Sequence, residues 1–237
     1  MKKSVYGFSL VELMVSLVLG SMLTLAAVQL FGVNQRTFIT QQSLARVLDD
    51  GQLALRFLSD DIRKAGYSGG AVANDDGIVF GGLGGSADGD PFDRIRVSYV
   101  GTQDCQGTVS AAPVALTNTY FVNNAGELRC DGSLGGGDVV LLDGVEGFRI
   151  QYGVDTVQDE VAGPFRFVGA TAASGLARPI VAVRLGLLLG SASPALPQNA
   201  ERSWRLFDRQ IDTEVDNVTR RPFFTTVMIR NLNWETL

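Results

Sequence analysis

Histidine is absent from the 237 residues of the chain, and the first proline is Pro91. Histidine is the commonest general acid–base group and a common metal ligand, so its absence disfavours most hydrolytic and metal-dependent chemistry. The sequence also lacks a paired cysteine motif, a G-x-S-x-G turn and a phosphate-binding glycine loop. We therefore expect no enzymatic activity, no cofactor and no metal ion. The lack of an early proline permits one long helix before residue 91.

Lysine is absent after Lys64, and the net charge of the remaining chain is acidic. From Gly66 onward there are 13 arginines and 20 acidic residues, a net charge of −7. This balance disfavours binding to nucleic acid or to an anionic membrane surface. Arginines and aromatic residues alternate between Glu201 and Arg230, which leaves a DNA- or surface-binding module as an alternative. Five acids in the same stretch favour a salt-bridged structural edge.

No charged residue occurs between Leu13 and Gln35. With Phe8 as its start, this apolar run is long enough to cross a bilayer as one helix. Glu12 lies at the beginning of the run, where a carboxylate is costly unless it is paired. The nearest preceding cations are Lys2 and Lys3, outside the helix, so the partner of Glu12 must come from elsewhere.

A cut between Gly7 and Phe8 would create an α-amine about one helical turn from Glu12, and a neighbouring copy could supply the same amine. An ordinary secretory signal, with an apolar core of about 7–15 residues, is one alternative, and a plain single-span anchor is another. Neither explains the acid. The pattern G-F-[ST]-L-[VIL]-E resembles the class III leader of type IV prepilins. The resemblance implies that a prepilin peptidase cleaves after Gly7 and methylates Phe8, and that Glu12 meets the N-terminus of another pilin.

The second half of the predicted helix has an apolar stripe on one side, as expected of a helix that packs against a globular head. Its members recur at steps of four and three residues: Leu44, Leu48, Gly51, Leu55, Leu58, Ile62 and Ala65. Lys64 and Gly66 are typical of a helix end. We expect Asp60 and Asp61 to belong to the solvated face, with Asp60 paired to Lys64 at the i,i+4 spacing.

The seven residues from Asp61 to Tyr67, D-I-R-K-A-G-Y, are similar to a signature that follows the helix in PilW-type minor pilins. Stretches at 145–155, 181–189 and 223–232 also resemble PilW-type heads. The resemblance implies the pilin fold and a minor pilin that primes assembly of a type IV pilus and joins the filament tip complex. A minor pseudopilin of a type II secretion system shares the leader, helix and β-rich head, and is the alternative.

The same resemblance implies a set of partners and a location. The partners are other minor pilins, the major pilin, a tip adhesin, the prepilin peptidase and the inner-membrane assembly platform. Before assembly the chain would be a single-pass inner-membrane protein with its head in the periplasm. After assembly it would lie at the extracellular tip of the pilus, a fimbrium that supports cell adhesion and twitching motility.

Runs of β-branched and aromatic residues after Tyr67 predict strands separated by turns. The runs are 94–100, 119–122, 127–130, 139–142, 147–152, 180–189, 204–207 and 225–232. Asn123–Gly126 predicts a hairpin with Cys130 on the return strand. The fold class is therefore α+β, with a long helix on a mostly antiparallel sheet. We expect four parts: a leader at 1–7, a membrane helix at 8–35, its amphipathic half at 36–65 and a head at 66–237.

The chain has two cysteines, Cys105 and Cys130. Because the N-terminal signal directs the head out of the cytoplasm, an even pair of cysteines predicts a disulfide. The closed loop of 26 residues would stabilise the head by roughly 3.5 kcal/mol in the chain-entropy model. Two unlinked buried thiols are the alternative.

Overall fold

A computed structural model describes residues 7, 9–68, 87–156, 165–176, 180–191, 202–213, 215, 216 and 218–231. The predicted long helix is confirmed as α1, Leu10–Ile62, which ends three residues before Ala65. Its predicted start, Phe8, lies outside the described residues. The chain forms two compact units, Met1–Gln42 and Ser43–Leu237, and α1 contributes to both.

Strands and a short helix follow α1 in the second unit. The strands described are β1 (Ile95–Gln103), β2 (Val109–Val122), β3 (Leu128–Gly132), β4 (Asp138–Leu142), β5 (Val145–Asp155), β6 (Phe165–Val168), β7 (Ile180–Gly190), β8 (Arg202–Leu206), β9 (Arg209–Thr213) and β10 (Arg220–Met228). Helix α2, Ala170–Leu176, lies between β6 and β7. The sequence did not predict β6, β9 or α2, because each is short and lacks a sustained apolar period.

All pairs between these strands are antiparallel. The first sheet has the order β1–β2–β3–β4, the second has the order β10–β7–β5–β6, and β8 and β9 form a separate hairpin. The α+β class is therefore confirmed, and the described residues form two four-stranded sheets in place of the one sheet expected. The predicted hairpin joins β2 to β3, and the Gly126 N–H donates to the Asn123 carbonyl at 3.0 Å. Gly126 has a φ of 75°, a left-handed conformation that favours glycine.

The residues that follow α1 form backbone hydrogen bonds with β1. Gly66 has a φ of 75°, which explains the glycine at this helix end. Its N–H donates to the Ser98 carbonyl at 3.0 Å, and the Val100 N–H donates to the Tyr67 carbonyl at 2.7 Å. The segment that follows α1 thus pairs with the outer edge of β1.

From Ser43 onward, α1 packs its buried side against the two sheets. The buried positions are Ser43, Val47, Gly51, Leu55, Leu58, Ser59, Asp61 and Ile62. The predicted stripe is correct from Gly51, but Leu48 is exposed and Val47 takes its place. At Gly51 a Cβ would collide with the Phe223 ring of β10, so this glycine permits the close contact.

Candidate functional site

The start of α1 carries the predicted assembly residue. Ser9 caps the helix, because its Oγ accepts a hydrogen bond from the Glu12 backbone N–H at 3.2 Å. Glu12 lies in the first turn, where a carboxylate is favoured by the helix dipole. The residue is exposed, and no cation of the described chain forms an ion pair with it. Gly7 is exposed as well, and Phe8 lies outside the described residues. The arrangement leaves the Glu12 carboxylate available to an external amine.

The helix that follows Glu12 is long and apolar enough to cross a membrane. Its large apolar side chains, among them Leu23 and Phe31, are 73% and 70% exposed. None of the most apolar 18-residue window is buried within the protein. This surface fits the acyl chains of a bilayer or the helices of neighbouring subunits.

At the other end of α1, Asp61 is buried with a side-chain exposure of 7%. Its Oδ2 accepts hydrogen bonds from the Tyr120 hydroxyl and from Asn118 Nδ2, both at 2.8 Å. Asn118 Nδ2 also donates to the Tyr99 hydroxyl at 3.1 Å. We call these four residues the Asp61 cluster. They connect the end of α1 to β1 and β2.

Two expectations about this helix end were therefore wrong. Asp61 is not on the solvated face, because β2 places two hydrogen-bond donors opposite it. Asp60 is exposed as expected, but it pairs with Arg63 at 2.9 Å, and Lys64 pairs with Asp61 at 3.1 Å. Both are i,i+3 pairs, whereas the sequence predicted an i,i+4 pair from Asp60 to Lys64.

The Asp61 cluster changes the acidity of its tyrosines. Burial, together with the negative charge of Asp61, raises the pKa of Tyr120 well above its usual value of 10. The same two causes raise the pKa of Tyr99. Both hydroxyls therefore stay protonated at pH values where an ordinary tyrosine begins to ionise, and they remain neutral hydrogen-bonding groups.

The predicted disulfide is confirmed between Cys105 and Cys130, with Cα atoms 6.3 Å apart. The bridge adjoins the Asp61 cluster, because the Cys105 N–H donates to Asn118 Oδ1 at 3.1 Å. On its other side, the buried Asp104 carboxylate accepts four backbone N–H groups at 3.0–3.1 Å, two from each of the loops that follow β1 and β3. One polar network therefore joins the helix end to the bridged loops.

The β8–β9 hairpin packs against the outer face of the second sheet. Asp208 at the tip of this hairpin receives two hydrogen bonds from the Arg149 guanidinium, at 3.0 and 2.9 Å. These bonds from Arg149 hold the pKa of Asp208 below its usual value. The Arg184 guanidinium lies between the rings of Phe167 and Phe207, 4.2 and 4.3 Å from their centres. The hairpin tip is thus held by charge and by cation–π contacts.

Arginines of the predicted salt-bridged edge form ion pairs with acids of the head. Arg220 binds both Glu146 and Asp216, and Arg209 lies 3.6 Å from Asp90. These are ion pairs of the kind that the salt-bridged edge predicts. They reduce the positive charge that this stretch offers to a nucleic acid.

Two models of known protein families match parts of the sequence. A family model of the prokaryotic N-terminal methylation motif matches residues 2–28. The model of type IV pilus-assembly protein W, PilW, matches residues 119–231, from β2 to just beyond β10. The chain is a type IV pilin-like protein, related to PilW. Such pilins are structural proteins, in agreement with the expectation that this one is not an enzyme.

A solved type IV-like pilin from Thermus thermophilus superposes with a TM-score of 0.48 at 19% sequence identity. The match covers 79% of this pilin and 97% of the Thermus chain. No curated protein matches the sequence significantly.

Sequence reasoning missed the partners of Asp61. Along β2 the positions Leu116, Asn118, Tyr120 and Val122 are buried in alternation, so Asn118 is a polar residue in a core position. A buried amide needs partners, and this alternation was the available signal. The sequence could not show which residue of α1 lies opposite.

Proposed function

We propose that this pilin is a minor subunit of a type IV pilus that primes filament assembly in the inner membrane and then joins the tip complex. The observation that carries the proposal is a single carboxylate, Glu12, in the capped first turn of an exposed apolar helix. The same chain has a head that matches PilW, which favours a pilus over a type II secretion system. Its partners would be other minor pilins, the major pilin and a tip adhesin.

Maturation by the prepilin peptidase would remove residues 1–7 and leave a methylated amine at Phe8. The Glu12 carboxylate in an apolar environment requires a positive partner, and the Phe8 amine of a neighbouring subunit supplies one. Residues 8–35 would then hold the pilin in the inner membrane beside the assembly platform, with 36–65 and the head at 66–237 in the periplasm. Incorporation into the filament would move the head to the cell exterior.

The test is mass spectrometry of the N-terminal peptide from sheared filaments and from membranes of the same cells. We expect a peptide that begins at N-methylated Phe8 in both fractions. Glu12→Ala and Glu12→Gln should be inserted and cleaved normally, yet fall by about tenfold or more in filaments, the effect of about 1.4 kcal/mol of lost pairing. Ser21→Ala, on the same exposed helix, is the control and should assemble normally.

Three outcomes would count against parts of this proposal. Normal incorporation of Glu12→Ala would contradict the charge pairing. A processed peptide found only in membranes would exclude a place in the filament and favour a role in priming or secretion. An intact Met1, or a cut at another position, would defeat the proposed maturation at Gly7 and Phe8.

A further inference from the structure

Strand β10 forms one edge of the second sheet, and its hydrogen-bond pattern shows which backbone groups face outward. The nine residues of β10 pair with β7 without a register shift. At one end the Ile229 N–H donates to Val181, and at the other the Ser191 N–H donates to Thr219, both at 2.9 Å. Odd-numbered residues of β10 therefore bond to β7. In an antiparallel ladder the even-numbered residues then direct their N–H and C=O groups away from it.

The outward groups belong to Phe224, Thr226 and Met228. Among the described residues, no strand pairs with this edge and no other backbone bond reaches these three. Phe224 and Met228 are 49% and 47% exposed, and Thr226 is also exposed. Pro222 is also one of the even-numbered residues, so the N–H that proline lacks would not have bonded to β7. The strand thus offers a row of backbone donors and acceptors beside exposed apolar side chains.

Natural edge strands are usually protected from pairing by charges, bulges, a short length or a covering segment. The outer edge of β1 is covered by Gly66 and Tyr67, and the edge strands β4 and β6 have five and four residues. The β10 edge has none of these protections in the described structure beyond Pro222 at one end. No charged residue occurs from Pro222 to Ile229.

We propose that this edge accepts a β-strand from the head of a different pilin, which extends the second sheet from one subunit into the next. The inference rests on the proposed role as a filament subunit. Arg221 and Arg230 flank the uncharged stretch, both exposed and without an ion pair among the described residues. The fitting strand therefore has an uncharged centre rich in β-branched or aromatic residues and an acidic residue near each end.

The same arginines disfavour a second copy of this chain as the occupant. If two β10 strands paired antiparallel across a two-fold axis, Arg221 of each copy would lie near Arg230 of the other copy. Like charges on neighbouring strands are destabilising, whereas acidic ends on a different pilin would be attracted. The occupant is therefore a heterologous subunit.

Thr226→Pro tests the edge. It removes one outward N–H and obstructs an incoming strand, while the bonds from β10 to β7 are kept, as they are at Pro222. Thr226→Ala is the matched control, because it changes the side chain and keeps the backbone donor. We expect both variants to be processed and inserted in membranes. Thr226→Pro should fall by about tenfold or more in sheared filaments and Thr226→Ala should not.

A cross-link identifies the occupant. A photoreactive benzoylphenylalanine in place of Met228 should join the mature chain to another pilin in intact filaments. The product should disappear with Thr226→Pro and persist with Thr226→Ala. Unchanged folding of Thr226→Pro, measured by its unfolding midpoint in detergent, excludes a general loss of structure.

The outcomes separate this inference from the proposed function. Wild-type chain in filaments together with an undiminished Thr226→Pro would overturn the edge pairing alone. A cross-link to a second copy of this chain, or one that Thr226→Pro leaves intact, would also overturn it. Absence of the wild-type chain from filaments would contradict the role as a filament subunit and the edge pairing with it.

Discussion

Replacing Asp61 by alanine should destabilise the head far more than replacing its neighbour Asp60. Asp61→Ala removes the acceptor of two hydrogen bonds at 2.8 Å, so the buried Tyr120 hydroxyl loses the carboxylate to which it donates. Hydrogen bonds to a charged group contribute about 1.5–3 kcal/mol each, and removal of the desolvated carboxylate offsets part of the loss. We expect a net cost of about 3 kcal/mol.

Asp60→Ala is the matched control, since the two acids are adjacent on α1 and each forms an i,i+3 ion pair. The Asp60 side chain is 55% exposed, and an exposed pair contributes about 0.5 kcal/mol or less. Asp61→Asn should have an intermediate cost, because the amide oxygen can still accept a hydrogen bond. The assay is urea unfolding of the full chain in detergent, followed by far-ultraviolet circular dichroism. Equal midpoints for Asp61→Ala and Asp60→Ala would refute the structural role assigned to the Asp61 cluster.

Three further measurements test the head. Reducing the Cys105–Cys130 bridge, or replacing both cysteines by serine, should lower the free energy of unfolding by roughly 3.5 kcal/mol, with an unchanged unfolding curve as the contrary result. Arg149 lowers the pKa of Asp208 in the folded state, so this carboxylate stabilises the head above about pH 4 and the contribution is lost as the pH falls below that value. Asp208→Asn should therefore flatten the acid limb of a stability–pH curve, and a limb as steep as that of the wild type would contradict the Arg149–Asp208 pairing. Ultraviolet titration of tyrosinate should show that Tyr99 and Tyr120 stay protonated at pH 10, where an ordinary tyrosine is half ionised, and Asp61→Asn should shift both toward easier ionisation.

Local pattern predicted the long helix and the Asn123–Gly126 hairpin, because each depends on residues close in sequence. The error at Asp61 has a different origin: its partners Asn118 and Tyr120 are 57 and 59 residues away. Helical periodicity shows which side of α1 is apolar. It does not show which side chains of β2 lie opposite Asp61.

In the first turns of the buried stripe, residue type alone does not predict which side of α1 is buried. Leu48 has a larger apolar side chain than Ser43 or Val47, yet Leu48 is exposed while Ser43 and Val47 are buried. The buried residues before Gly51 lie four and eight positions earlier, at Val47 and Ser43. This side of the helix is buried because it faces the sheets. Division of the strands between two sheets likewise depends on pairings distant in sequence, such as β10 with β7.

The disulfide encloses β2 and the turn that follows it in one covalent loop. Cys105 precedes β2 and Cys130 lies in β3, so β2 and the turn at Asn123–Gly126 lie between the two bridged residues. A single cut of the backbone inside this loop would leave the two parts of the chain joined through the bridge. Proteolysis within β2 or its turn should therefore release separate fragments only after reduction, and gel mobility with and without a reductant would show the difference.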